Sequence, residues 1–152
     1  MIVKAQTQDA NLLTEIALSS KAHWGYSKDQ IKKWKNELTV TSKMFNDWNV
    51  YKYVIDNKIA GFYILNRANI RTSFLEFLFV SPNFINQGIG SKLLEHAKDY
   101  CRRGSCTVLN VLSDPNSESF YLKHGFKVIH KRESSIKGRF LPEMELYFPE
   151  NM

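Results

Sequence analysis

The run SFLEFLFV at residues 73–80 is apolar apart from one carboxylate, Glu76, and reads as a central strand buried on both faces. Ser81 and Pro82 end it. A short loop reaches Gly88, and residues 88–103 then place Ile89, Leu93, Leu94, Ala97 and Tyr100 on one stripe, the spacing of an amphipathic helix. A further apolar run follows at residues 106–112. Strand, helix and strand in this order make a βαβ unit, whose two strands lie parallel with a right-handed crossover. This unit commits the chain to an α/β architecture.

The flanking segments complete the sheet. Residues 2–5 read as a strand and 9–20 as a helix with Leu13, Ile16 and Ala17 on one face. Residues 21–26 connect to a second helix, which opens at Ser27 with Gln30 three positions later, a capping box, and carries Ile31, Trp34 and Leu38. Residues 41–48 fit either a short helix or a loop. Residues 50–55 and 59–65 flank Asp56, Asn57 and Lys58, a hairpin turn signal. Beyond the βαβ unit, residues 116–124 form a short helix stopped by Gly125. Strands follow at 126–131 and 144–148, with a loop or partial strand over 134–142. The expectation is one domain, residues 1–152, with a mixed sheet of about seven strands and about four flanking helices.

Composition narrows the function classes. Hydrophobic residues are 43% of the 152 and charged residues 24%, the balance of an ordinary globular protein. No apolar run approaches the roughly 20 residues that span a bilayer, and the first ten residues lack a signal-peptide core. These features predict a cytoplasmic protein without a membrane partner. Cys101 and Cys106 fit neither a disulfide framework nor a zinc pattern, and His23, His96, His124 and His130 lack metal spacing, so the site set contains no metal. The formal net charge is +6, but the positive residues are scattered. Nucleic-acid binding wants a basic stripe with exposed aromatics, which the spacing does not provide. The Arg102–Arg103 pair suits the dipole at a helix end.

The chemistry concentrates where strand meets helix. Gly88 and Gly90 let backbone amides approach a ligand closely. First-turn helix amides lack internal partners and carry the positive end of the dipole, an anion site suited to phosphate. A dinucleotide fingerprint wants a third glycine where Leu93 stands, and a P-loop wants Gly-Lys-Ser or Gly-Lys-Thr, which is absent.

Val80-Ser81-Pro82 followed by Gly88-Ile89-Gly90, and then Phe120-Tyr121 followed by Gly125-Phe126, stand in the order and at the separation of two landmarks of the GNAT superfamily, which this chain resembles. The motifs cover about residues 73–130, and the β-α-α-βββ lead-in extends the likeness to nearly the whole chain. In the family's phosphate signature the first position, usually Arg or Gln, is here Ile85, and the next, often Gly, is Asn86. The resemblance implies an acetyl-CoA-dependent N-acetyltransferase acting on a primary amine of a small molecule or peptide. It places the coenzyme on Leu78, Phe79, Val80, Asn86, Gln87, Gly88, Ile89, Gly90 and Ser91, with Tyr121 at the thiol. The family's asparagine, seven residues before the tyrosine, is replaced by Asp114, with Asn116 nearby, and Asn116 is taken as the coenzyme contact.

Direct transfer needs a neutral amine, and a free alkyl amine titrates near about 10, so a base or an ordered water must take its proton. Glu76 is the candidate base, the sole charge of its strand, on the face of Leu78 and Val80; the alternative is a structural ion pair. Tyr121 is the candidate acid for the departing thiolate; the alternative is a core aromatic with its hydroxyl bonded to backbone. His23, Trp24 and Tyr26 are candidates for the acceptor wall, against a reading in which Trp24 caps the core and His23 is simply exposed. Arg139 and Phe140 are candidates for the opposite side. The competing function is a non-catalytic acyl-CoA sensor of the same fold. The aromatic end Leu146-Tyr147-Phe148 is compatible with a homodimer.

Overall fold

A computed structural model describes residues 1–149. Its seven strands are β1 (Ile2–Lys4), β2 (Asn49–Ile55), β3 (Lys58–Arg67), β4 (Thr72–Val80), β5 (Val108–Leu112), β6 (Lys127–Glu133) and β7 (Phe140–Tyr147). The helices are α1 (Ala10–His23), α2 (Lys28–Leu38), α3 (Ser42–Asp47), α4 (Ile89–Arg103) and α5 (Glu118–Lys123), five where about four are expected from sequence. The strands form one sheet in the order β1-β2-β3-β4-β5-β7-β6. β4 and β5 are parallel, with Thr72 opposite Val108, and the pairs β1–β2, β2–β3, β5–β7 and β6–β7 are antiparallel. The βαβ unit and the mixed sheet are as the sequence predicts.

The chain divides into two compact units, one of Met1–Leu65 with Phe77–Ala97, the other of Asn66–Glu76 with the chain from Lys98 onward. In the first unit, Asp56 and Asn57 take φ of 48° and 63°. Two adjacent left-handed residues make the turn whose twist matches the hairpin it closes. Ser27 caps α2 by accepting from the Gln30 amide at 3.1 Å, and α1 runs on through His23, three residues beyond its expected end, before Gly25 at φ 92° stops it. Leu13, Ala17, Trp34, Leu38, Phe62 and Ile64 are buried. Asp9, also buried, accepts at Oδ2 from both Lys52 Nζ at 2.9 Å and the Gln6 amide at 2.8 Å, so its charge is paired.

In the second unit the burial of β4 alternates. Ser73 and Leu75 are buried with Leu109, Val111 and Met144, whereas Phe74 is 40% and Leu112 43% exposed, and Glu76 is exposed. This corrects the expectation of a strand covered on both faces. Continuous apolar sequence permits double burial without requiring it, and here the face of Phe74 and Glu76 lies open. Cys101 and Cys106 are free, buried thiols. They meet because Ser105 turns left-handed at φ 64° after α4 and the Cys106 amide returns to the Cys101 carbonyl at 2.9 Å. That geometry brings the third-last helical residue against the second residue past the cap. Burial, and next the neighbouring Cys106, push the Cys101 thiol up to about 12.

Candidate functional site

The first unit supplies a phosphate-binding corner. β4 ends where the Ser81 amide donates to the Ala60 carbonyl of β3 at 2.8 Å, and a short turn over Pro82–Phe84 follows, closed by the Phe84 amide on the Ser81 carbonyl at 2.9 Å. α1 packs against this turn. Asn86 and Gly88 both take left-handed φ, 63° and 74°. Asparagine tolerates that region and glycine occupies it without strain. The first α4 bond runs from the Lys92 amide to the Gly88 carbonyl at 3.1 Å. Ile89, Gly90 and Ser91 therefore make the first turn of α4, at the positive end of its dipole. Nothing lies within 4 Å of where a Gly88 side chain would begin, so the corner is open at that point. Backbone donors, a helix dipole and an open glycine are the donor set a diphosphate needs.

Sequence reasoning missed the residue beneath this corner. A Cβ on Gly61 of β3 would stand 2.8 Å from the Phe79 carbonyl oxygen, 3.1 Å from Leu93 Cδ1 and 3.4 Å from Ile89 Cγ2. Gly61 thus lets the end of β4 and the start of α4 close on β3. Its signal was present, since a glycine inside a strand marks a close approach.

The second unit holds Tyr121, Glu76 and Asn116. Tyr121 lies on α5, whose end is shaped by Gly125 at φ 94°. The Phe126 amide bonds the Tyr121 carbonyl at 3.0 Å and the Gly125 amide the Leu122 carbonyl at 3.1 Å, the paired bonds of a glycine helix stop. The Tyr121 ring is packed between Phe120 and Phe126, with centroids 5.1 and 5.3 Å away. Only 5% of the residue is exposed. Its hydroxyl takes no hydrogen bond from or to any described residue, and it is not a sealed, unsatisfied atom. The bond to backbone that a merely structural tyrosine wants is missing. Burial alone pushes its ionisation well above the ordinary phenol range, so it keeps its proton.

Glu76 is exposed, not enclosed among the apolar residues of its strand. Asn66 Nδ2 donates to its Oε1 at 3.3 Å. Asn116 is exposed and tied to Asp114, whose Oδ1 accepts from both its amide and its Nδ2 at 2.9 Å. Asp114 Oδ2 accepts from Arg139 at 2.9 Å. Asp114 is therefore the anchor of its loop, and Arg139 is that anchor's partner. Phe140 opens β7 and is 47% exposed.

The acceptor candidates lie at the α1–α2 turn of the first unit. Trp24 is 45% exposed, so it does not cap the core, and His23 is exposed beside it. Tyr26 is half-buried, edge-on to Trp34 at 4.8 Å, with Lys21 Nζ 5.8 Å from its ring centre. Among the described residues no helix is long and apolar enough to cross a membrane.

Residues 24–148 match the Acetyltransferase (GNAT) domain family. A curated relative, the peptidyl-lysine N-acetyltransferase YjaB of Salmonella typhimurium, is 35% identical over 75 residues, 49% of this chain; the chain spans about half the length of that relative, 50%. The PaiA N-acetyltransferase of Thermoplasma acidophilum, solved with coenzyme A, superimposes with TM-score 0.79 at 24% identity, covering 97% of this chain and 98% of its own. A GNAT acetyltransferase of Elizabethkingia anophelis with acetyl-CoA bound gives TM-score 0.68 at 18% identity, with 97% of each chain covered. With a glycine corner after β4, a tyrosine on α5 and a family match that runs through both, this chain belongs to the GNAT family of acetyltransferases.

Proposed function

We propose that the protein acts as one acetyltransferase domain that moves the acetyl group of acetyl-CoA to a primary amine of a small molecule or peptide. The observation that carries the reading is Tyr121, a buried phenol held to its proton with a hydroxyl no described residue engages. The coenzyme supplies an activated acyl group on sulfur. The amides of Ile89, Gly90 and Ser91, with Asn86, Gln87 and Gly88, hold its diphosphate. Leu78, Phe79 and Val80 orient the chain that leads to the thioester, and Asn116 flanks it. Tyr121 delivers a proton to the leaving thiolate. Glu76, exposed on its strand, takes a proton from the attacking amine directly or through water. His23, Trp24 and Tyr26 wall the acceptor. The YjaB relative is a peptidyl-lysine N-acetyltransferase, which makes a peptide lysine the first acceptor to try.

Calorimetric titration with acetyl-CoA, with ATP as control, followed by thiol release against a panel of amines and lysine peptides, tests the proposal. Saturable binding and amine-dependent thiol release are expected. Binding without release from any amine would favour a sensor, and no binding would overturn both readings. Glu76→Gln is expected to lower kcat/KM about tenfold or more at neutral pH. An unchanged kcat/KM would leave deprotonation to water alone.

A further inference from the structure

Lys98, on α4, is only 7% exposed, a rare state for a residue type that is almost never fully buried. Withdrawing an ammonium from water costs several kcal/mol unless it is well paired, and an apolar residue would fill the same space more cheaply. Its Nζ donates to the His124 carbonyl at 2.9 Å. His124 caps α5, three residues after Tyr121, and its own amide bonds the Tyr121 carbonyl at 3.1 Å. The last carbonyls of a helix lack internal partners. The Gly125 and Phe126 amides meet those of Leu122 and Tyr121, and Lys98 meets that of His124. The His124 ring in turn packs on Phe120 at 4.8 Å, and Phe120 on Tyr121 at 5.1 Å. The end of α5 is thus anchored on α4 by one buried cation.

We propose that Lys98 is a positioning residue for acetyl transfer, its ammonium fixing the C-terminal turn of α5 and so the placement of the Tyr121 hydroxyl. This rests on the reading of Tyr121 as the proton donor. Proton transfer depends steeply on placement, and a displacement near 1 Å can cost about a hundredfold. The cost of losing Lys98 falls on turnover and not on coenzyme affinity, because the diphosphate corner is built from other residues.

The test is a double-mutant cycle on the full chain, measuring kcat and the KM for acetyl-CoA. Lys98→Met is expected to lower kcat about tenfold with KM within about twofold. Placed on Tyr121→Phe, the same change is expected to cost no further turnover, since there is no hydroxyl left to misplace. Equal losses in both backgrounds would mark a general structural effect and overturn the proposal, as would a normal kcat for Lys98→Met beside a slow Tyr121→Phe. The latter result would leave Tyr121 as the donor. A normal kcat for Tyr121→Phe itself would remove the donor reading and this inference with it. Should Lys98→Met fail to fold, Lys98→Gln, which keeps a shorter donor, is run through the same cycle with the same expectations.

Discussion

Tyr121→Phe is expected to lower kcat at least about tenfold while leaving the Kd for acetyl-CoA within about twofold. The ring stays, so its packing between Phe120 and Phe126 stays with it. No protein hydrogen bond is lost, because no described residue makes one to the hydroxyl. Stability should therefore barely change, and the loss can be assigned to the missing proton. A free thiol titrates at about 8.5 and a free phenol at about 10, so Tyr121 assists the sulfur through a hydrogen bond as its charge develops and gives up its proton only as the C–S bond breaks. The sign of the pH dependence follows from the raised ionisation of Tyr121. A donor whose pKa rises keeps its proton to higher pH than an ordinary tyrosine. Turnover should show no alkaline fall from loss of this proton until the pH is above about 10, the unperturbed phenol value. Steady-state rates for both forms across pH check this. Unchanged turnover in the phenylalanine form would take Tyr121 out of the reaction.

Gly61→Ala is expected to cost about 1–3 kcal/mol of stability and to weaken acetyl-CoA binding about tenfold. The new methyl would arrive 2.8 Å from the Phe79 carbonyl oxygen. A backbone atom in the middle of a sheet cannot swing away, and Leu93 and Ile89 close the other directions at 3.1 and 3.4 Å. The chain relieves the clash by moving the end of β4 or the start of α4, and both are parts of the diphosphate corner. Gly104→Ala is the internal control. Its Cβ would meet Arg67 Nη1, also at 2.8 Å, but that is the far end of an exposed flexible side chain. Thermal unfolding and coenzyme titration of the two variants compare the cases. Equal stability in both would show that β3 and α4 have slack the geometry denies.

What sequence revealed of the fold was set by period and punctuation. The strand, glycine loop and helix from β4 through α4 announce themselves by a change of hydrophobic spacing at Pro82 and Gly88. The hairpin at Asp56 and Asn57 and the cap at Ser27 are short-range signals that no tertiary contact overrides. α3 was ambiguous because it has six residues and none of them is buried, so no apolar stripe exists to read. β7 begins at Phe140, four residues before its expected start, because Pro142 reads as a strand breaker. In the structure Pro142 is fully buried and paired with Lys131, and its carbonyl accepts from the Ser113 amide at 2.8 Å. Glu76 misled for a related reason. Its apolar neighbours suggest enclosure, but which face of a strand is covered is decided by elements distant in sequence.

The candidate site shows the same division. Tyr121 stands in a local motif and is legible at once. Gly61 marks a close approach without saying to what, and Lys98 sits in a helical pattern where a lysine is read as solvated by default. Neither acquires meaning until its neighbours are known.

The turn after α1 leaves the protein with a built-in optical probe. Of its three tryptophans, Trp34 is 7% exposed, Trp48 is half-buried and Trp24 is 45% exposed. Emission at long wavelengths should therefore come chiefly from Trp24 and be quenched readily by iodide, while the buried indole resists. If Trp24 walls the acceptor pocket, a bound amine should shield it and shift that emission to the blue. Acceptors could then be ranked by fluorescence before any of them is shown to react.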